Sequence, residues 1–417
     1  MDYFNYKNDA LHAEDVSIAD IAKEFGTPFY CYSASTLRRH VKAFSDGIGD
    51  IRKKICFAVK SNSHVAVLKT LGAAGCGADV VSGGEIRLAL AAGITADNIV
   101  FSGVGKTRDE MIFALENDIF QFNIESKPEL TLLNDVAASM NKKASIAVRV
   151  NPDVDAKTHA KISTGKSENK FGIPIAQAPD FYAYAATLNN INVQSISVHI
   201  GSQLTELEPF RHAFERVKAL AASLVELGHN ISVLDLGGGL GIPYDDSDLP
   251  TPGEYGQVVR DVFSDFDGTL VFEPGRLIAG NAGILVSDVI YIKEGEGKTF
   301  AIVDAAMNDL MRPSLYEAYH EIIPVQKTDR ASISYDIVGP VCETGDTFAI
   351  NRALPEIKPN ELVAFRSAGA YGAVMSSTYN ARPVTPEVMV DGDKWAVIRK
   401  RASYDEMLAT QLVPEWL

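Results

Sequence analysis

Lys60 directly follows an apolar run in Phe57-Ala58-Val59-Lys60-Ser61-Asn62, where the chain turns polar. A lysine kept partly desolvated at the end of a buried strand has a neutral amine available for Schiff-base formation. A strand end that faces water would leave it an ordinary ammonium. Residues 237–241 read Gly-Gly-Gly-Leu-Gly. Consecutive glycines let backbone N–H groups approach an anion, and the spacing is not that of a dinucleotide fingerprint. A tight turn is the plainer reading of the same residues. Glu273-Pro274-Gly275-Arg276 sets a carboxylate just before two groups that can contact an anion, and His199-Ile200-Gly201-Ser202-Gln203 offers an imidazole followed by a hydroxyl. Later in the chain come Arg312 with Tyr316, the adjacent Cys342 and Glu343, and Tyr371 between Ala370 and Gly372. Arg312 and Tyr316 share one face if their segment is helical. The eight histidines carry no metal-ligand spacing, and neither a nucleophile elbow nor a P-loop is present, so no metal site is expected.

These residues need elements to aim them. From about residue 54 to 276 a short apolar run, a polar or glycine-rich turn and a helical stretch recur. The runs at 55–59, 78–81, 99–102, 120–124, 145–150, 196–200, 233–236 and 270–272 have the length and β-branched content of buried strands. Ser82 with Glu85, Thr107 with Glu110 and Ser126 with Glu129 have capping-box spacing, and Gly93 stands where the first of those helices should stop. Eight strand-plus-helix units predict a (β/α)8 TIM barrel, with an open doubly wound sheet as the alternative. Polar residues after nearly every strand favour the barrel, and Lys60, His199, the glycine run and Glu273 then all lie at its C-terminal mouth. After residue 280 the runs at 285–292, 299–303, 334–338, 362–365 and 395–399 predict a mainly β second domain, to which residues 28–32 could add a strand. The expected division is 35–280 for the barrel, with 1–34 and 281–417 forming the β domain.

Of the 417 residues 46% are hydrophobic and 22% charged, which excludes a disordered, collagen-like or coiled-coil chain. Thirty-nine Lys and Arg against 54 Asp and Glu leave a net charge of −15, which argues against nucleic acid as a partner. Cys31, Cys56, Cys76 and Cys342 are too few and scattered for a disulfide framework. The polar start MDYFNYKNDALHAEDVS does not resemble a signal peptide, and no apolar run approaches the ~18 residues needed to span a bilayer. A cytoplasmic enzyme without a membrane partner is expected.

Taken together, the motifs resemble the alanine-racemase-like, fold-type III group of pyridoxal-phosphate (PLP) enzymes, and within it the diaminopimelate decarboxylases. The resemblance covers nearly the whole chain and rests on FAVKSN at 57–62, DVVSGGE at 79–85, KTHAKISTGKSENKFG at 157–172, HIGSQ at 199–203, GGGLG at 237–241, EPGR at 273–276, CETG at 342–345 and AGAYGAVM at 368–375.

It implies that Lys60 holds PLP as a Schiff base, His199 lies against the ring, Glu273 pairs with the pyridine nitrogen and Asp79 shapes the lysine region. Ser202, Gly237, Gly238, Gly239, Gly241, Gly275 and Arg276 would surround the phosphate, with Tyr371 closing the pocket. Arg276, Arg312, Tyr316, Glu343 and Tyr371 would bind the amino-acid substrate, with Cys342 near the reacting carbon. In such enzymes Cys342 and Glu343 would enter the neighbouring subunit's site, implying a homodimer. The activity implied is decarboxylation of meso-2,6-diaminopimelate to L-lysine and CO2, the last step of lysine biosynthesis. A carboxylate opposite the ring nitrogen favours the protonated ring that decarboxylation needs, whereas alanine racemases place an arginine there. A relative acting on another long basic amino acid, a Schiff-base aldolase without PLP and a non-catalytic regulatory homologue remain as alternatives.

Overall fold

The computed structural model describes residues 2–155, 170–245 and 247–417. Most of the KTHAKISTGKSENKFG motif, at 157–169, lies outside the described residues. Two compact units are present, Arg38–Pro243 with Asp248–Ile278, and Met1–Leu37 with Tyr244–Ser247 and Ala279–Leu417.

In the first unit eight parallel strands form a closed cylinder: β1 Lys53–Ala58, β2 Gly77–Val80, β3 Ile99–Phe101, β4 Gln121–Ile124, β5 Ala144–Asn151, β6 Ile191–Val198, β7 Val233–Asp235 and β8 Thr269–Phe272. The pairing of Phe272 with Ile55 joins the last strand to the first and rules out an open sheet. Two-residue strand Ile173–Pro174 adds to the far side of β5. The strands are nearly all buried on both faces, which explains why they read as continuous apolar runs rather than alternating ones. Polar exceptions matter here: Asp79, Gln121, Asn123 and Asp235 are buried within strands.

Helix starts agree with the capping spacing, with one refinement. Thr107 and Glu110 form the reciprocal box. Ser82 and Ser126 also accept the expected N–H groups, from Glu85 and Glu129. The glutamates themselves reach one residue further back, to the N–H groups of Val81 and Glu125. The other oxygen of Glu129 lies 2.7 Å from the buried Lys106 amine.

The second unit is built on a mixed sheet whose spine is the long strand Gly283–Gly295. Its first half pairs with Phe29–Ser33 and Leu362–Phe365, and its second half with Lys298–Val303. The strand expected at 28–32 thus joins this sheet, Gly283 facing Tyr32. Ser332–Val338, Thr347–Pro355, Glu387–Asp391 and Lys394–Arg399 extend the sheet on both sides. A small three-stranded sheet over Phe4–Lys7, Ala10–Ala13 and Val16–Ser17 was not anticipated. Its first turn is Asn8-Asp9, both at positive φ (48° and 63°), the geometry of a tight two-residue hairpin. Among the described residues no helix is long and apolar enough to cross a membrane.

Candidate functional site

Lys60 sits in a short 3-10 turn, Val59–Ser61, at the C-terminal end of β1. Its amine is 2.5 Å from Asp79 Oδ2 on the adjacent strand β2. The lysine side chain is 38% exposed while Asp79 is fully buried, so the pair has one end in the barrel and one at its mouth. Asp79 Oδ1 is buried without a hydrogen-bond partner, which makes that carboxylate depend on Lys60.

Glu273 follows β8 and turns inward beside Asp235, the last residue of β7. Asp235 Oδ2 accepts from Asn123 Nδ2 at 2.8 Å and Oδ1 from the Gly237 N–H at 3.0 Å. The same Asn123 amide lies 3.3 Å from Glu273 Oε1 and 3.0 Å from Ser102 Oγ. Gln121 then donates to Asn123 Oδ1 at 2.8 Å. Desolvation pushes the Glu273 carboxyl well above its usual range, reinforced by the charges of Asp235 and Asp79. Asp235 is raised to about 6, again chiefly by burial. Burial and their mutual charge therefore favour one shared proton on this carboxyl pair, Glu273 being the more strongly raised of the two.

His199 directly follows β6. Its Nδ1 accepts the Gly238 N–H at 3.3 Å, so the ring proton is on Nε2. Desolvation, with Arg149 and Lys60 as cationic neighbours, holds the imidazole well below its ordinary titration range and keeps it neutral. The glycine run brings three loops together. Gly237 and Gly239 have φ of +66° and +110°, and a Cβ on either would come within 2.5 Å of the carbonyl oxygens of Val198 and Gly201 respectively. The N–H groups of Gly237, Gly238 and Gly241 donate to Asp235, His199 and Leu204. The run therefore works first by close backbone approach. Beside it Ser202 Oγ lies 3.2 Å from the Arg276 guanidinium, and Gly275 packs on Ala58 and Ser61. Lys60, Asp79, His199, Ser202, Gly237, Gly238, Gly239, Gly241, Glu273, Gly275 and Arg276 thus all belong to the barrel unit.

The other candidates belong to the β unit. Arg312 and Tyr316 open and close the five-residue helix Arg312–Tyr316. Arg312 is buried, its guanidinium 4.5 Å from the centre of the Tyr244 ring and 2.7 Å from His320 Nε2. Cys342 and Glu343 lie on an exposed turn. The Cys342 N–H donates to Asn380 Oδ1, and the Tyr379 hydroxyl donates to Glu343 Oε2 at 2.8 Å. Tyr371 has φ of +57°, a strained value for a side chain of its size.

The donor set in the barrel fits PLP. It combines a primary amine with an ion-paired carboxylate, a neutral imidazole, a carboxyl that can give up a proton to a ring nitrogen, and a hydroxyl–guanidinium pair beside a glycine run too tight for any Cβ. Asp235, Asn123, Gln121 and Ser102 were missed in the sequence. The available signals were the Gln121-x-Asn123 alternation on one strand and the acid just ahead of the glycines.

Residues 34–280 match the family described as pyridoxal-dependent decarboxylase, pyridoxal binding domain. The diaminopimelate decarboxylase of Zymomonas mobilis is 49% identical over 420 residues, covering 99% of both chains. That of Pseudomonas fluorescens is 50% identical over 417 residues, covering 100% of both. Among solved structures, diaminopimelate decarboxylase from Helicobacter pylori complexed with L-lysine superposes with a TM-score of 0.91 at 39% identity, over 94% of this chain and 98% of that one. The M. jannaschii enzyme in co-complex with L-lysine gives 0.94 at 35% identity, over 100% and 99%. With the amine, the proton-sharing carboxyls and the glycine cradle in place along the same barrel, the chain belongs to the diaminopimelate decarboxylases, within the pyridoxal-dependent decarboxylase family.

Proposed function

We propose that the protein decarboxylates meso-2,6-diaminopimelate to L-lysine and CO2 in the cytoplasm, with PLP held on Lys60. The observation that carries this reading is near-half identity to diaminopimelate decarboxylases over the full chain. The ion-paired amine of Lys60 at the barrel mouth supports it. When bound, PLP supplies a protonated ring that takes up the electron pair left behind by CO2.

The chain's own residues do the rest. Asp79 holds the Lys60 amine in place. Glu273, its carboxyl raised by burial beside Asp235, would face the ring nitrogen and could supply a proton there, serving as its anionic partner. Neutral His199 would pack against the ring without adding a charge there. Ser202 and Arg276 would hold the phosphate, beside the closely packed glycine run. Cys342, contributed by the neighbouring chain in this reading, would supply the proton that replaces CO2. Release of CO2 from meso-diaminopimelate, stimulated by added PLP, tests the assignment. No release from cofactor-loaded enzyme overturns it.

Substrate choice follows from charge. Diaminopimelate keeps a second amino-carboxylate at its far end, which ornithine and lysine lack. Arg312 offers a fork for that carboxylate and Glu343 an acceptor for the distal ammonium, with Tyr316 and Tyr371 lining the approach. Arg312→Ala should raise KM for diaminopimelate about thirtyfold, with a smaller effect on kcat. An unchanged KM removes Arg312 from the distal subsite.

The working unit in this reading is a homodimer, each chain giving Cys342 and Glu343 to the other's site. Exposure of both on their own chain supports this. Sedimentation should report twice the 45.1 kDa chain mass. Mixing inactive Lys60→Ala and Cys342→Ala variants should restore about a quarter of wild-type activity, since half the dimers are mixed and each has one intact site. No recovery on mixing excludes shared sites.

A further inference from the structure

Arg312 is held by a side chain that no motif singled out. His320 is 1% exposed and presents Nε2 to Arg312 Nη1 at 2.7 Å. Its other ring nitrogen, Nδ1, lies 2.8 Å from the backbone carbonyl oxygen of Arg366. A carbonyl only accepts and a guanidinium only donates, so the two contacts leave one arrangement. Nδ1 carries the proton and gives it to the carbonyl, and Nε2 turns its lone pair to Arg312.

The carbonyl is itself fixed. Arg366 donates its N–H to the Glu321 carbonyl, and its Nη2 spans both oxygens of Asp2 at 3.1 and 2.9 Å. Tyr244 completes the support. Its ring stacks on the Arg312 guanidinium and meets the His320 ring edge-on at 5.4 Å. Arg312 is thus clamped between an aromatic face and a lone pair, both within the β unit.

We propose that His320 is a positioning residue for Arg312, fixing the plane in which the guanidinium meets a substrate's distal carboxylate. It acts on specificity and not on the chemical step. The inference rests on the reading of Arg312 as the carboxylate-binding group. An unclamped guanidinium keeps its charge but loses its preset fork, so affinity falls only for ligands bearing that carboxylate.

The product L-lysine and 1,5-diaminopentane separate these effects, because they differ only by that carboxylate. On the cofactor-loaded enzyme, His320→Phe should weaken inhibition by L-lysine about tenfold while changing that by 1,5-diaminopentane less than about twofold. His320→Gln can place an amide oxygen where Nε2 stands and an N–H towards the Arg366 carbonyl, and should recover most of the loss. If His320→Phe fails to fold, His320→Asn, whose amide is too short to reach Arg312, takes its place. Equal weakening towards both ligands, or none, overturns the proposal. Arg312→Ala run in parallel distinguishes the two readings. If it leaves lysine inhibition intact, the carboxylate assignment itself falls. If it weakens lysine while His320→Phe does not, only the role of His320 falls.

Discussion

Lys60→Ala should lower kcat about a thousandfold, the scale on which an enzyme loses a covalent and proton-transferring amine. Borohydride should fix the cofactor mass on wild-type chain and not on the variant. A stability effect must be separated from this. Removing the amine leaves Asp79 fully buried, with one oxygen already lacking a partner and the other deprived of its 2.5 Å contact. An uncompensated buried carboxylate costs roughly 3–5 kcal/mol. Adding Asp79→Asn neutralises that charge, so the double variant should regain much of the lost thermal stability and none of the turnover. Recovery of both would make Lys60 a structural cation. A single variant with near-wild-type kcat would remove it from the chemistry.

How far such residues could be read from the chain depends on what locates them. Lys60, His199, Gly237 and Glu273 each follow a short apolar strand, and in a barrel every strand end points to the same mouth. Local pattern therefore carried them to one place before any contact was known. Closure itself, Phe272 on Ile55, joins residues far apart in sequence and could be inferred only by counting units. Asn123 and Asp235 are different. They meet at 2.8 Å across the barrel interior, and nothing local to a four-residue or a three-residue strand shows which of its members face inward. His320 is harder still. It sits in the connection between helix Arg312–Tyr316 and strand Ile322–Pro324, outside any periodic pattern, and its importance comes only from the two partners that flank it. Glu129 shows the same limit on a smaller scale. Its capping spacing was legible, but its ion pair with the buried Lys106, 23 residues earlier, was not.

Glu273→Gln is the second large effect, and its value lies in how little else it changes. The amide oxygen can keep the contact from Asn123 that Glu273 Oε1 accepts at 3.3 Å, and the amide N–H can face Asp235 in place of the shared proton. Glutamine thus imitates the protonated glutamate, the form favoured by burial. What it cannot do is part with that proton and become an anion opposite a protonated ring nitrogen. Turnover should fall about a hundredfold while PLP content and L-lysine inhibition stay close to wild type. Stability should move the other way. A carboxyl whose folded pKa is raised supports the fold at low pH and loses that support as pH rises through the folded value. Glutamine has no proton to lose, so the variant should match wild type below the ordinary glutamate range and gain a growing advantage in unfolding temperature as pH rises from there to the raised folded value. A variant that is both less active and less stable at every pH would mean the carboxyl serves packing. One that turns over normally would show that the ring nitrogen needs no anionic partner, and the preference for decarboxylation drawn from this residue would fail.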